Sequence, residues 1–492
     1  MRAIMVVGTA SNAGKSLLVT AICRLLKRRG DRVTPFKGQN MALNSYVVEG
    51  GEIGYAQAVQ AWAAGINPRV ENNPILLKPQ GDMTSQVILM GQVAGVTQAA
   101  EYYQNYFEPG WQAIQTSLAV LAQEYDWIVC EGAGSPAEIN LKHRDLTNMR
   151  VAIHLQAATI LVVNIDLGGA FAHVVGTLQL LTTEEKSLIK GIVINKFRGQ
   201  RSLLQSGIDW LEEYTGIPVL GVIPYLDLQL PAEDSLALLE RRSRLSPAET
   251  KIKVIRLPRI SNFTDFDPLL AESSIDLEFV TCDRSLVNSQ GKPDAVILPG
   301  TKTTIADLLY LQSSGMADQL RTYWQNGGII MGICGGWQML GETISDRLGL
   351  EGKSGRYPGL GCFPMHTELT AAKILRQREV TATYPESLQN TKIQGYEIHQ
   401  GISALKPNFG EALFTDAELG NTNQQFWGTY LHGIFDNGSW RRTWINTIRQ
   451  TQGLQPLTTD VPNHSAQREI MFDQLANAIA QHLDLRPLLT EG

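Results

Sequence analysis

A cysteine set among glycines, Gly332-Ile333-Cys334-Gly335-Gly336, ends an apolar run that begins near Gly328. Trp337 to Leu340 follow at helical spacing. Strand, sharp turn and helix with a thiol at the apex is the layout of a nucleophile elbow, whose strained backbone needs small neighbours. A helix N-terminus behind the sulfur favours thiolate, and backbone N–H groups there can meet a developing oxyanion. Gly335 offers one such group. Gly300, in Leu298-Pro299-Gly300-Thr301-Lys302 at the end of another apolar run, offers a second. A lone cysteine is more often a buried structural residue, but the flanking glycines favour the nucleophile. A reactive thiol also needs a base. His399, in Gly395-Tyr396-Glu397-Ile398-His399, and His432, between an apolar segment and Gly433, both close short β-like stretches. Spacing alone does not choose between them.

A second chemistry lies at the other end of the chain. After the apolar run Arg2–Val7 comes Gly8-Thr9-Ala10-Ser11-Asn12-Ala13-Gly14-Lys15-Ser16, then a helical pattern closed by Gly30. This is a phosphate-binding loop in its proper context. Its backbone N–H groups, those of Gly8, Thr9, Asn12, Ala13 and Gly14 among them, would cradle phosphates. Lys15 would meet the outer phosphate and Ser16 would hold magnesium. One departure is that Gly8 stands one place early, with Thr9 where the strict pattern has glycine. Glu131, at the end of Asp126–Cys130 and beside Gly132-Ala133-Gly134, suits a second magnesium ligand. Asn195, in Asn195-Lys196, closes another strand, where an amide can read a purine edge. Polar loops at strand ends supply substrate candidates: Gln39 and Asn40 in Lys37–Asn44, Lys78 in Asn73–Pro79, Asp145 beside Arg144, and His399. Each has a plainer reading as a turn, cap or surface residue.

The elements that must carry these groups are strands alternating with helical patterns, an α/β arrangement with parallel sheets covered on both faces. At 492 residues the chain holds two or three domains. The boundaries read as an ATP-dependent unit over 1–226, a linker with one exposed helix over 227–250, a second α/β unit over 251–445, and a helical tail over 446–492. Hydrophobic residues are 43% and charged residues 18%, as in ordinary globular proteins. A net charge of −6 gives no reason to expect nucleic acid as a partner. No apolar run is long enough to span a membrane, and the N-terminus lacks the pattern of a signal peptide. Five scattered cysteines form no zinc or disulfide framework and fit a reducing cytoplasm. Oligomeric state is not legible.

ATP turns a carboxylate into an acyl phosphate, and a thiolate releases ammonia from glutamine. Joined on one chain, these make a carboxamide while keeping ammonia out of bulk water. The motifs bear this out by resemblance. The Cys334 elbow with His432 resembles the class I glutamine amidotransferases, which implies that His432 is the base. The N-terminal half is similar to the dethiobiotin synthetase type of P-loop enzyme in its early glycine, Glu131-Gly132-Ala133-Gly134 and Asn195-Lys196. The join is that of the corrinoid amidases. Within them, Lys37–Ala42, Leu298–Lys302 and Gly395–His399 resemble the cobyric acid synthase family, over Met1 to about Asn437. That resemblance implies ATP, magnesium, glutamine and a corrinoid, with amidation of the b, d, e and g carboxylates of adenosylcobyrinic acid a,c-diamide in cobalamin synthesis. Alternatives are the related amidase that makes the a,c-diamide, and a P-loop partition or switch ATPase with an idle second unit. Many class I amidotransferases carry His-x-Glu, but the third place here is Ile434. The site is either a Cys334–His432 dyad or one that borrows a carboxylate from elsewhere, which the sequence does not identify.

Overall fold

The computed structural model describes residues 1–81, 83–226, 248–287 and 291–489. The chain divides into two compact units. The first comprises Met1–Ala42, Val48–Pro231 and Arg468–Gly492; the second comprises Leu43–Val47 and Ala232–Gln467. Most of the expected linker, 227–247, lies outside the described residues. The expected tail is shared out. Helix Gly438–Thr451 lies wholly in the second unit, and residues from Arg468 onward belong to the first. Among the described residues no helix is long and apolar enough to cross a membrane.

The first unit is built on a six-stranded sheet in the order Val219–Pro224, Ile189–Phe197, Ala158–Asn164, Arg2–Gly8, Trp127–Glu131, Val33–Phe36. Every pairing in it is parallel. Ile4, Val6, Ile128, Val129, Leu161 and Val162 are fully buried, as expected for strands covered on both faces. The register sets Val6 opposite Glu131 and Gly8 opposite Val162. The phosphate loop and Glu131 therefore leave the sheet at one carboxyl end, where open α/β sheets bind ligands. Helix Lys15–Arg29 starts at Gly14 (φ 102°) and stops at Gly30 (φ 94°), both left-handed conformations that glycine adopts at little cost. Its buried face, Ile22 and Leu26, packs with Leu475 and Ile479 of helix His464–Ala480. Arg24 pairs with Glu469 and Asp473, each at 2.8 Å.

The second unit has a seven-stranded sheet ordered Ile275–Thr281, Thr250–Arg256, Ala295–Leu298, Ile329–Ile333, Phe426–Thr429, Gly420–Thr422, Glu411–Ala412. The first five strands run parallel and the last two pairings are antiparallel. A second sheet carries the long strands Met365–Thr381 and Lys392–Leu405, with the short strand Leu431–His432 at its edge. The two short β-like stretches carrying His399 and His432 fall in this sheet. Strand Ile329–Ile333 is buried throughout, at the centre of a core that includes Trp427, Trp440 and Trp444. Each such large apolar side chain contributes roughly 1.5–3 kcal/mol on burial.

Candidate functional site

Cys334 stands where strand Ile329–Ile333 turns into helix Gly335–Leu340, with φ 52° and ψ −112°. A side-chain-bearing residue in that left-handed region is strained and persists only when its surroundings hold it. Its N–H donates to the Thr429 carbonyl at 2.8 Å, tying the apex to the neighbouring strand. The glycines are required by closeness. A Cβ on Gly336 would lie 2.0 Å from the Leu298 carbonyl oxygen, and one on Gly332 would lie 2.7 Å from the Trp337 nitrogen. Gly300 and Gly335 flank the same place. A Cβ on Gly300 would come 3.0 Å from His432 Cε1 and 3.8 Å from Cys334 Cβ; one on Gly335 would come 2.8 Å from Thr301 Cγ2.

His432 reaches Cys334 from the short strand Leu431–His432, which pairs Tyr396 opposite His432. The carboxylate that the sequence left unidentified is Asp265. Its Oδ2 lies 2.7 Å from His432 Nδ1, and its Oδ1 accepts the Gly433 N–H at 2.8 Å. Both side chains are buried. Asp265 sits in the single turn Phe263–Phe266, held from two sides. Asn44 Oδ1 accepts the Phe263 N–H at 3.2 Å, and Asn262 Oδ1 accepts the Ser45 N–H at 3.0 Å. Burial pushes the imidazolium pKa down, but the Asp265 charge and hydrogen bond, with Cys334 beside it, outweigh this and hold it up at about 10. Cys334 Sγ lies 3.5 Å from the Ile398 carbonyl oxygen, and among the described residues His432 Nε2 is buried without a hydrogen-bond partner. Cys334, His432 and Asp265 thus converge, an arrangement in which a thiol, an imidazole and a carboxylate can carry out proton transfer.

His399 belongs to the same neighbourhood but not to the same role. Its ring stacks on Tyr430 with centroids 3.8 Å apart. Burial, reinforced by the nearby His432 charge, lowers its pKa to about 3, so it stays neutral. Gln338, one helical turn after Cys334, was not singled out in the sequence. Its Nε2 donates to the Gln400 carbonyl at 2.9 Å and to Tyr430 Oη at 3.2 Å.

In the first unit, Lys15 Nζ donates to the carbonyls of Ala10 and Gly134, each at 3.1 Å. Asn12 takes φ 58° and Gly14 φ 102°, the turn that aims loop N–H groups at an anion. Ser16 Oγ donates to Glu131 Oε1 at 2.9 Å, so the two expected magnesium ligands are adjacent. Lys37 Nζ also meets Glu131 Oε1, at 2.9 Å, and Gln60 donates to Oε2. One hydroxyl and one carboxylate oxygen fit magnesium, a hard cation that takes its other ligands from phosphates and water.

Asn195 is placed against the phosphate loop. Its Nδ2 donates to the Ala13 carbonyl at 2.8 Å and its Oδ1 accepts the Lys196 N–H at 2.8 Å. The amide is thereby tied to the phosphate loop, and each end keeps the capacity for one more hydrogen bond. Lys78 is likewise turned inward, 2.9 Å from Glu52 with both side chains buried. Asn40 is buried, donating to Gln57 Oε1 at 2.9 Å and accepting the Met41 N–H at 2.8 Å. Asp145 accepts three backbone N–H groups, of Thr147, Asn148 and Arg150, at 2.8, 2.8 and 3.0 Å, and so caps helix Met149–Leu155. Gln39 accepts Tyr102 Oη–H at 2.6 Å and lines a cavity together with Asp145, Gly134 and Ser135.

A phosphate-loop unit and a cysteine–histidine–aspartate unit on one chain define a glutamine-dependent, ATP-driven amidating ligase. Residues 4–236 match the CobQ/CobB/MinD/ParA nucleotide binding domain, and residues 251–440 match the CobB/CobQ-like glutamine amidotransferase domain. Full-length relatives carry the comparison further. The chain is 62% identical over 494 residues to the cobyric acid synthase of Trichodesmium erythraeum, covering 100% of each chain. It is 62% identical over 498 residues to that of Acaryochloris marina, covering 99% of each. The chain belongs to the cobyric acid synthase family.

Proposed function

We propose that this chain amidates the b, d, e and g carboxylates of adenosylcobyrinic acid a,c-diamide, giving adenosylcobyric acid in cobalamin synthesis. The observation that carries this reading is the end-to-end match with cobyric acid synthases, which spans both units rather than one. In the second unit, Cys334 thiolate attacks the side-chain amide carbon of glutamine. N–H groups of Gly300 and Gly335 receive the oxyanion, and imidazolium His432 gives its proton to the departing ammonia. Water then hydrolyses the thioester to glutamate and frees the thiol. In the first unit, the γ-phosphoryl group of ATP passes to a corrinoid carboxylate. Ammonia attacks the acyl phosphate, phosphate leaves with the carboxyl oxygen and a proton is lost, so an amino group takes that oxygen's place and the carboxylate becomes an amide. Ser16 and Glu131 would hold magnesium, which when bound offsets phosphate charge; Lys15 and the loop N–H groups orient the phosphates. Five free cysteines suit a reducing cytoplasm. The test is to incubate the purified chain with ATP, magnesium, glutamine and the a,c-diamide and follow products by mass. Four successive amidations are expected. Amidation of cobyrinic acid at a and c instead would overturn the assignment.

A further inference from the structure

Two cavities of the first unit share Lys142, Asp145 and Glu185 in their walls and so adjoin. The inner one, about 240 Å³, reaches Gly134, whose carbonyl accepts Lys15 Nζ at 3.1 Å. In the outer one, about 720 Å³, Trp111, Ile139 and Ile153 form the apolar part of a wall that also holds His143 and charged side chains of both signs. Ile139 is 55% exposed, an apolar side chain left on open surface in the loop that follows Glu131. Arg144 borders the inner cavity and Arg150 the outer. Both guanidinium groups rest on aromatic faces: Arg144 is 5.1 Å from the Tyr103 centroid, and Arg150 is 4.8 Å from Phe107 and 5.1 Å from Trp111. Among the described residues neither side chain makes a hydrogen bond or an ion pair. Lys142 differs, being paired with Glu185 at 2.6 Å. The buried Asn148 Oδ1, in the inner wall, has no hydrogen-bond partner among the described residues.

A guanidinium that stacks on an aromatic ring keeps N–H donors with which it can meet a carboxylate in a bidentate pair. Two of them beside an apolar wall match a molecule with a flat apolar body and several carboxylate arms. We propose that these joined cavities bind the corrinoid. This rests on the reading of function above and adds where the substrate lies. The macrocycle lies against Trp111, Ile139 and Ile153. Arg144 and Arg150 grip carboxylates that are not reacting, Asn148 Oδ1 accepts an N–H from an existing amide arm, and the reacting carboxylate points to Gly134 and Lys15. Two grips on flexible stems, rather than one rigid clamp, let the ring be presented in different orientations, as four separate carboxylates require. Each amidation removes one negative charge, and a charged carboxylate holds a guanidinium far better than a neutral amide does. Affinity therefore falls step by step, and the fully processed product leaves.

Equilibrium dialysis of the full chain with a,c-diamide and with cobyric acid measures this directly. The wild type should bind the diamide about tenfold or more tightly than the product, as expected for losing charge-assisted bonds. Arg144→Gln and Arg150→Gln, singly and together, should weaken diamide binding and bring the two affinities close to each other. Melting temperatures are taken for each variant, and the single variants decide the matter if the double variant does not fold. Wild-type affinity and wild-type discrimination in folded variants would overturn the proposal. Conversion by the wild type is followed in parallel. Its absence would overturn the reading of function, whereas loss of binding in the variants would still support the corrinoid site.

Discussion

Asp265 Oδ2 lies 2.7 Å from His432 Nδ1 although the two residues are 167 positions apart. Asp265 holds the ring so that Nε2 is the nitrogen left for chemistry, and it stabilises the imidazolium. Asp265→Asn should cut glutamine hydrolysis by about 10²-fold or more, as loss of the orienting acid does in such triads. The pH profile should change as well. The Asp265 carboxylate favours the charged ring, so its removal lowers the His432 pKa from about 10. The alkaline limb, which reports loss of the proton that ammonia needs, should move to lower pH. An unchanged limb in the variant would show that another group orients the base.

If the thiolate serves only to free ammonia, Cys334→Ser should lose glutamine-dependent amidation while retaining synthesis from added ammonium salts. The measurement is product formation with each nitrogen source. Equal loss with both would give Cys334 a role beyond glutamine hydrolysis.

Lys15 Nζ rests on two neutral carbonyls, those of Ala10 and Gly134. Charged phosphate oxygens are the stronger partners and should displace these contacts. Lys15→Ala should therefore abolish amidation with glutamine and with ammonium alike, while glutamine hydrolysis survives. Normal amidation with normal ATP dependence in this variant would remove the phosphate loop from the mechanism.

The parallel strands and both loops were legible because buried strands read as apolar runs and tight turns demand glycine. Cys334 and Lys15 stood out for that reason. Asp265 did not. It lies in the single turn Phe263–Phe266, which has no periodicity, and its partner is distant in sequence. Nor do the terminal atoms of a side chain at a strand end declare which way they face. Asn195 and Lys78 read as ligand groups, and the fold gives them protein partners as well, Ala13 and Glu52. Nothing in the sequence marks Arg144 or Arg150, which the fold sets over Tyr103, Phe107 and Trp111.

His399 and His432 were equivalent by spacing, and their surroundings now separate them. His432 has a carboxylate partner and is held charged up to about pH 10, whereas His399 is desolvated, faces the His432 charge and remains neutral above about pH 3. A neutral ring stacked on Tyr430 shapes the site but cannot supply the proton for ammonia. His432→Ala should slow alkylation of Cys334 by a glutamine analogue and abolish glutamine-dependent synthesis, yet keep synthesis from ammonium. His399→Ala should leave the alkylation rate within a few-fold of wild type and preserve both limbs of its pH profile. Its cost should appear in stability, at about 1 kcal/mol for the lost ring pair. The two alkylation rates, measured from pH 5 to pH 10, decide the assignment. If His399→Ala alone slows alkylation, the base is His399 and the Asp265–His432 pair has a structural role.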